Sequence, residues 1–249
     1  MLKKILQRIA FGRTSWDPVA YWRARAADPE TMSVMWQNLV YNEMVDRDEW
    51  DVIERYLPDR REAALDLGCG TGRLSARLAE RFDAYTGVDL DTMVAEAVRR
   101  NPGLAGGYVA ATVESYDYPT DRFDFVLSLG CLATACSKEA LPGVARRIVG
   151  SLRSRGRLVL IEPFHESSLL TRGCRTTPRE VARLFESMGM RLDARDGMLF
   201  FPARMTLSEP AFGRFPRLTT MAYRAGERAV RLAPSLLSDY AIIVLTKRG

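Results

Sequence analysis

Two hydrophobic rhythms divide the chain near residue 60. Up to Pro58 the apolar positions recur at helical spacing. Leu2, Ile5, Leu6 and Ile9 share one side, with Lys3, Lys4, Gln7 and Arg8 opposite. WDPVAYWRARA (16–26) follows, with Asp17 placed as an N-cap and Pro18 at the first helical position. Then come the Met- and Trp-rich stretch TMSVMWQNLVYNEMV (31–45) and an acidic-apolar helix, DRDEWDVIERYL (46–57), stopped by Pro58. From residue 62 short apolar runs alternate with amphipathic ones. The pattern predicts strands at 63–67, 84–90, 107–111, 122–129 and 155–164, with helices at 71–82, 91–100 and about 138–153. A helix at 178–189, one or two strands within 190–201 and a last strand in SDYAIIVLTKRG complete it. Alternating strands and helices predict an α/β fold, a doubly wound and mostly parallel sheet covered on both faces. The segment 203–237, rich in proline and holding the basic helix MAYRAGERAVRLA, interrupts the last two strands and suits an antiparallel finish. The expected division is a helical cap or lid over 1–58 and a ligand-binding domain over 59–249 carrying that insert.

Composition narrows the class. Apolar residues make up 47% and charged residues 27% of 249 positions, enough for one sizeable core. The longest apolar runs, RLVLI (157–161) and YAIIVL (240–245), have strand length, and Arg8 breaks the N-terminal apolar stretch, so neither a membrane span nor a secretory signal is expected. Four cysteines without a CxxC pair and a single histidine argue against a metal site and a disulfide framework, and for a reducing, cytoplasmic setting. The net charge of +5 comes from 36 basic residues, of which only four are lysine; that bias, with no separate basic module, gives no expectation of nucleic-acid binding.

The chemistry starts at ALDLGCGTGRL (64–74). Gly68, Gly70 and Gly72 follow an apolar run, where a backbone turns sharply and a ligand can approach it. In an open parallel sheet ligands bind beyond the carboxyl ends of the strands. A nicotinamide cofactor would favour a third small residue where Arg73 stands, so a pyrophosphate is the wrong guest. Asp66, at the end of the first strand, is counted with the loop among the cofactor-binding candidates. Asp89 ends the second, where a carboxylate can accept from both hydroxyls of a ribose. Thr112 and Val113 end the third, near where a base edge could be read.

ALDLGCGTGRL, TGVDLD, FDFVLS and LRSRGRLVLIEPF, in that order, resemble the motif series of class I S-adenosylmethionine-dependent methyltransferases of the small-molecule type. The likeness is strong over about 60–165 and general over 178–248. It implies a Rossmann-like sheet and S-adenosylmethionine as cofactor. By that resemblance the loop of Gly68, Cys69, Gly70 and Gly72 lies along the methionine part, and Asp89 holds the ribose. Leu90 and Met93 would flank the adenine, and the backbone of Leu129 would meet the methionine end. Where the family often has Gly-Asp-Ala at its third strand end, this chain has Ala111-Thr112-Val113, leaving the Thr112 hydroxyl or the Val113 amide for the adenine. Arg25 would pair with the cofactor carboxylate, as N-terminal helices do in similar enzymes.

Methyl transfer needs positioning more than covalent catalysis. For an oxygen acceptor, His165, after IEPF at the ligand-facing end of the fifth strand, is the candidate general base, its ordinary pKa suiting neutral pH; Glu162, Glu114 and Tyr21 are weaker substitutes. The substrate lid is expected from Trp16, Tyr21, Trp22, Arg25, Met32, Met35, Trp36 and Tyr41, together with 199–232, whose aromatic and Met side chains suit an apolar acceptor as well as plain packing. The basic, amphipathic residues 1–13 read either as a packing helix or as a peripheral contact at the inner membrane surface, delivering the enzyme to a lipid-linked substrate. Rivals to a small-molecule O-methyltransferase are an RNA methyltransferase, a binding protein that keeps the fold, and a cofactor-binding member catalysing another reaction such as a cyclisation. The sequence sets no oligomeric state.

Overall fold

The computed structural model describes residues 17–26, 36, 38–166, 171 and 173–249. Its helices are α1 (Pro18–Ala26), α2 (Leu39–Arg55), α3 (Ser75–Ala79), α4 (Asp91–Arg100), α5 (Leu132–Ala135), α6 (Leu141–Ser151), α7 (Pro178–Ser187), α8 (Phe201–Leu207), α9 (Pro216–Leu232) and α10 (Pro234–Leu237). Its strands are β1 (Ala63–Leu67), β2 (Ala84–Asp89), β3 (Tyr108–Ala110), β4 (Phe123–Leu129), β5 (Leu152–Glu162), β6 (Met190–Phe200) and β7 (Ser238–Lys247). They form one sheet in the order β3-β2-β1-β4-β5-β7-β6. The first five strands are parallel, and β7 runs antiparallel to both β5 and β6. This is the expected Rossmann-like, doubly wound sheet with its antiparallel finish. Strand order reverses between β1 and β4, which opens a crevice at their carboxyl ends.

The central strands are buried on both faces, and their residues alternate between two cores. Leu65, Leu67, Val126, Leu158 and Leu160 face α6 and α7 through Ile148, Val181 and Phe185. Ala64, Phe125, Leu127, Val159 and Ile161 face α2, α3 and α9 through Ile53, Leu78 and Tyr223. Each such fully buried side chain contributes roughly 1.5–3 kcal/mol, which is why the strands read as continuous apolar runs.

Three boundaries differ from the sequence reading. The end of the Met-rich stretch, from Leu39, and the acidic-apolar helix join into one helix, α2, because Asn38 caps its start, accepting from the Tyr41 amide at 3.3 Å. Asn38 also donates to the Leu207 carbonyl at 2.8 Å and so ties α2 to the insert. Tyr41, Met44, Val45 and Ile53 of α2 lie in the sheet's own core. The helix expected over 71–82 is regular only over α3, since the glycine loop occupies its first turn. The third strand stops at Ala110, so Thr112 and Val113 fall in the turn after it. α1 lies against α4 and α5, with Arg23 3.9 Å from Asp91 at the head of α4, which places α1 above the carboxyl edge of the sheet. The expected insert is helical, comprising α8, a short 3-10 turn (Pro210–Arg214), α9 and α10.

Candidate active site

The glycine loop hangs from β2 as well as following β1. The amides of Gly68 and Cys69 donate to the Val88 carbonyl at 2.8 and 3.2 Å. Gly68 has φ +79, and a Cβ there would stand 2.3 Å from the Cβ of Cys131, so the loop can pass the β4–α5 turn only as glycine. At Gly70, φ +56, a Cβ would meet nothing within 4 Å, so the backbone there flanks open space. Beside that flank sits Asp89. Its Oδ2 accepts from the Gly70 amide at 2.8 Å and its Oδ1 from the Leu90 amide at 2.7 Å. A carboxylate has about four lone-pair sites, so each oxygen keeps one for a further donor. Two fixed acceptors side by side suit a vicinal diol, and the residues present fit an adenosyl ligand on that count. Burial raises the Asp89 pKa against the pull of its two amide donors. Gly72 closes the turn, its carbonyl accepting from Asn101 Nδ2 at 3.1 Å, and Met93 of α4 is buried.

Below the loop the side chains are structural. Asp66 is buried and accepts from the Tyr85 hydroxyl at 3.2 Å, and Tyr85 in turn pairs with Ser75 at 2.7 Å. Burial pushes the Asp66 carboxyl up to about 7. Arg73, the residue that argued against a pyrophosphate, reaches α2 instead: it pairs with Asp46 and donates to Glu49 at 2.6 Å, while Arg77 also pairs with Asp46. The glycine loop is therefore clamped to α2, a function no loop motif reveals. Burial pushes the Asp46 carboxyl up, but Arg77 and Arg73 outweigh it and lower its pKa.

At the β4 and β5 ends the expectations are partly redirected. Leu129 is half-buried and leads into the half-buried Gly130 and Cys131 at the start of the turn. Glu162 is fully buried and accepts from Ser128 Oγ at 2.6 Å and from the amides of Cys131, Leu132 and Ala133 at 3.1, 2.9 and 3.1 Å. Burial pushes it up to about 7 despite these four donors. It is occupied in holding the β4–α5 turn and is not placed as a base. Glu114 is exposed and Tyr21 lies in α1 against Trp22, ring centroids 5.1 Å apart. Thr112 spends its hydroxyl and its amide on Ser115 Oγ at 2.9 and 3.0 Å, which closes a turn and leaves that hydroxyl engaged; Val113 is buried. The side chain of Arg25, and Trp16, Met32, Met35 and residues 1–13, lie outside the described residues. Trp36, Tyr41 and Tyr223 stack edge to face at 5.3 and 5.6 Å; Tyr41 is core packing that joins α2 to α9, not lid surface.

His165 is largely buried rather than on a surface loop. Its Nε2 lies 3.8 Å from Asp239 Oδ1, beyond hydrogen-bond reach, and its ring meets Phe201 edge to face at 5.9 Å. Arg204 of α8 pairs with the same Asp239. Burial, then the neighbouring Arg204 charge, lowers the His165 pKa to about 4. The sequence value near neutrality is thereby corrected: desolvation disfavours the imidazolium. β5 lies two strands from β1, about 10 Å at ordinary spacing. Sequence reasoning missed Arg204, Asp239 and Tyr240. They belong to the insert and the start of β7, and only the antiparallel return of β7 brings them to this edge. The Tyr240 hydroxyl stands 3.5 Å from where a Gly130 Cβ would be, across the end of β4. A small pocket of about 110 Å³ beside His165 is bounded by Phe164, Arg195, Asp196 and Ser238. The larger cavity, about 700 Å³, opens at the opposite, amino edge; Arg60 there is taken by Asp124 and Arg157 by the carbonyls of Tyr56 and Leu57, so we place the chemistry at the carboxyl edge.

A glycine loop at the switch point, an acid closing β2 and a β7 reversed between β5 and β6 define the class of Rossmann-like methyltransferases. Residues 64–156 match the family described as methyltransferase domain. Over that stretch the chain is similar to class I S-adenosylmethionine-dependent methyltransferases, whose cofactor is S-adenosylmethionine. A ubiquinone biosynthesis O-methyltransferase of Methylobacterium sp. is 29% identical over 55% of this chain and 63% of its own length, so the chain spans less than two thirds of that relative. Among solved structures, a 4+2 cyclase superposes with TM-score 0.59 at 19% identity, covering 83% of each chain. Phosphoethanolamine N-methyltransferase 2 of Haemonchus contortus, solved with S-adenosylmethionine, gives 0.57 at 17% identity, covering 82% of this chain and 53% of that one. These two likenesses show the fold alone.

Proposed function

We propose that the chain transfers a methyl group from S-adenosylmethionine to an oxygen of a small, largely apolar acceptor of the phenol or quinol kind. The observation that carries this is Asp89, held by the Gly70 and Leu90 amides with one lone pair spare on each oxygen, beside the open flank of Gly70. The cofactor supplies an electrophilic methyl on a sulfonium. Asp89 takes the two ribose hydroxyls, and the loop from Gly68 to Gly72 lies along the methionine part. Leu90 and Met93 border the adenine.

His165 holds the acceptor's proton. Its imidazole is neutral at pH 7 and so able to accept a proton. With a pKa of about 4 it is a weak base, which matches an acidic hydroxyl such as a phenol better than an alcohol. The oxygen specificity and quinone-precursor class named for the Methylobacterium relative support this reading.

Calorimetric titration with S-adenosylhomocysteine tests the cofactor role. The parent protein should bind, and Asp89→Ala should weaken binding at least about tenfold, since each hydrogen bond to a charged group is worth roughly 1.5–3 kcal/mol. Equal binding by the two proteins, or none by the parent, would overturn the assignment. With a panel of phenolic acceptors and labelled cofactor, His165→Ala should lower turnover at least about tenfold with S-adenosylhomocysteine affinity retained.

A further inference from the structure

The inserted helix α9 has two unlike faces, and its outer one has no partner among the described residues. Thr219, Tyr223, Gly226 and Val230, at i, i+4, i+7 and i+11, form the buried ridge that packs on the sheet. On the opposite side Leu218, Met221, Ala225 and Leu232, at i, i+3, i+7 and i+14, form a second row. Leu218, Met221 and Leu232 are 53%, 70% and 88% exposed, which is unusual for side chains of this size standing in one line. Immediately beside that row runs a third, Arg217, Arg224, Arg228 and Arg231, again at i, i+7, i+11 and i+14 and all exposed. None of these four makes an ion pair among the described residues. The only acid of the helix, Glu227, turns inward and accepts from the Leu199 and Phe200 amides at 3.2 and 3.0 Å. The segment 201–237 holds six arginines against two glutamates. Phe215 at the head of α9 and Leu236 just after it are exposed as well, at 59% and 79%.

We propose that the outer face of α9 docks the protein on an anionic lipid surface. Leu218, Met221 and Leu232 enter the boundary between headgroups and acyl chains, and the arginine row pairs with lipid phosphates. The charge pattern selects this occupant. A second copy of the same face would set one arginine row against another with no acid between them. A nucleic acid would answer the arginines and leave the apolar row in water. The surface is built from residues of the insert alone, and the inference stands whatever the acceptor is. It also has a mechanical consequence: the insert that rests on the lipid is the one that brings Arg204 to Asp239 beside His165.

Flotation of the full chain with phosphatidylcholine vesicles, with and without phosphatidylglycerol, tests it. Binding should be at least about tenfold stronger to the anionic vesicles and should fall with added salt. A variant carrying Leu218→Ser, Met221→Ser and Leu232→Ser, and another carrying Arg217→Ser, Arg224→Ser and Arg228→Ser, should each lose at least about tenfold. A third, Lys3→Glu with Lys4→Glu and Arg8→Glu, should bind like the parent. All should keep the parent's behaviour toward S-adenosylhomocysteine in calorimetry, a readout that separates misfolding, and any failure of the cofactor assignment, from failure of docking. Absence of binding to anionic vesicles, or undiminished binding by both α9 variants, overturns the proposal. So does a dimer in light scattering that the α9 variants dissolve without any change at vesicles, which would assign the face to a second copy.

Discussion

At the scale of single residues the site turns on what burial does to a side chain's charge. His165 is the only histidine of the chain, so its imidazole resonances are assigned without ambiguity. Burial and Arg204 lower its pKa to about 4, so we expect an NMR titration with a midpoint well below 5 and no inflection near 6.5. A midpoint at the ordinary value would mean that the ring is solvated and that its packing against Phe201 and Asp239 is not maintained. Asp89 and the glycine loop were legible from sequence, because each closes a short strand and the loop needs glycine for backbone reasons. Thr112 was not. Its hydroxyl was free to read a base only as long as the neighbouring Ser115, which captures it, was left out of account.

At the scale of elements the clamp between α2 and the glycine loop decides the stability of the cofactor side. Glu49 is fully buried and depends on Arg73 for its counter-charge. Arg73→Met strands that carboxylate, a loss of about 3–5 kcal/mol by comparison with broken buried pairs. Adding Glu49→Leu should restore a large part of it. Urea unfolding of the parent, both single variants and the double variant measures the coupling; strict additivity would mean that the pair is not a unit. The hydrophobic rhythm announced the strands and the helices α3, α4, α6 and α7 of the sheet domain to within a few residues, as with α4 over 91–100, but not the short α5. It did not announce that one helix runs unbroken through Leu39–Arg55. That depends on the Asn38 cap and on a face complementary to Phe125 and Leu78, neither adjacent in sequence.

At the scale of the whole molecule three buried carboxyls set the response to pH. Asp66, Glu162 and Asp239 are pushed up to about 7, 7 and 6 by burial. Between the ordinary carboxyl range and these values the folded state binds more protons than the unfolded state, so stability falls as pH rises through that window. His165, lowered to about 4, has the opposite sign between pH 4 and 6.5, where the unfolded state binds the extra proton. Above 6.5 the histidine contribution fades and the carboxyls dominate. We therefore expect the urea midpoint to decline from pH 6.5 to 7.5, and the combined Asp66→Asn and Glu162→Gln variant to flatten that decline; a midpoint rising over the same interval would contradict the burial of both groups.

The amino-acid sequence alone determined the alternation of strands and helices, the glycine turn after β1 and the acid closing β2, because each depends on residues close together in the chain or on a period of two or 3.6. Tertiary structure alone decided what Arg73, Glu162 and Tyr41 do, and which residues surround His165. Those roles come from contacts across the sheet: Arg204 and Asp239 meet His165 only because β7 returns between β5 and β6, and burial, which sets their charges, is a property of the packed whole rather than of any stretch of chain.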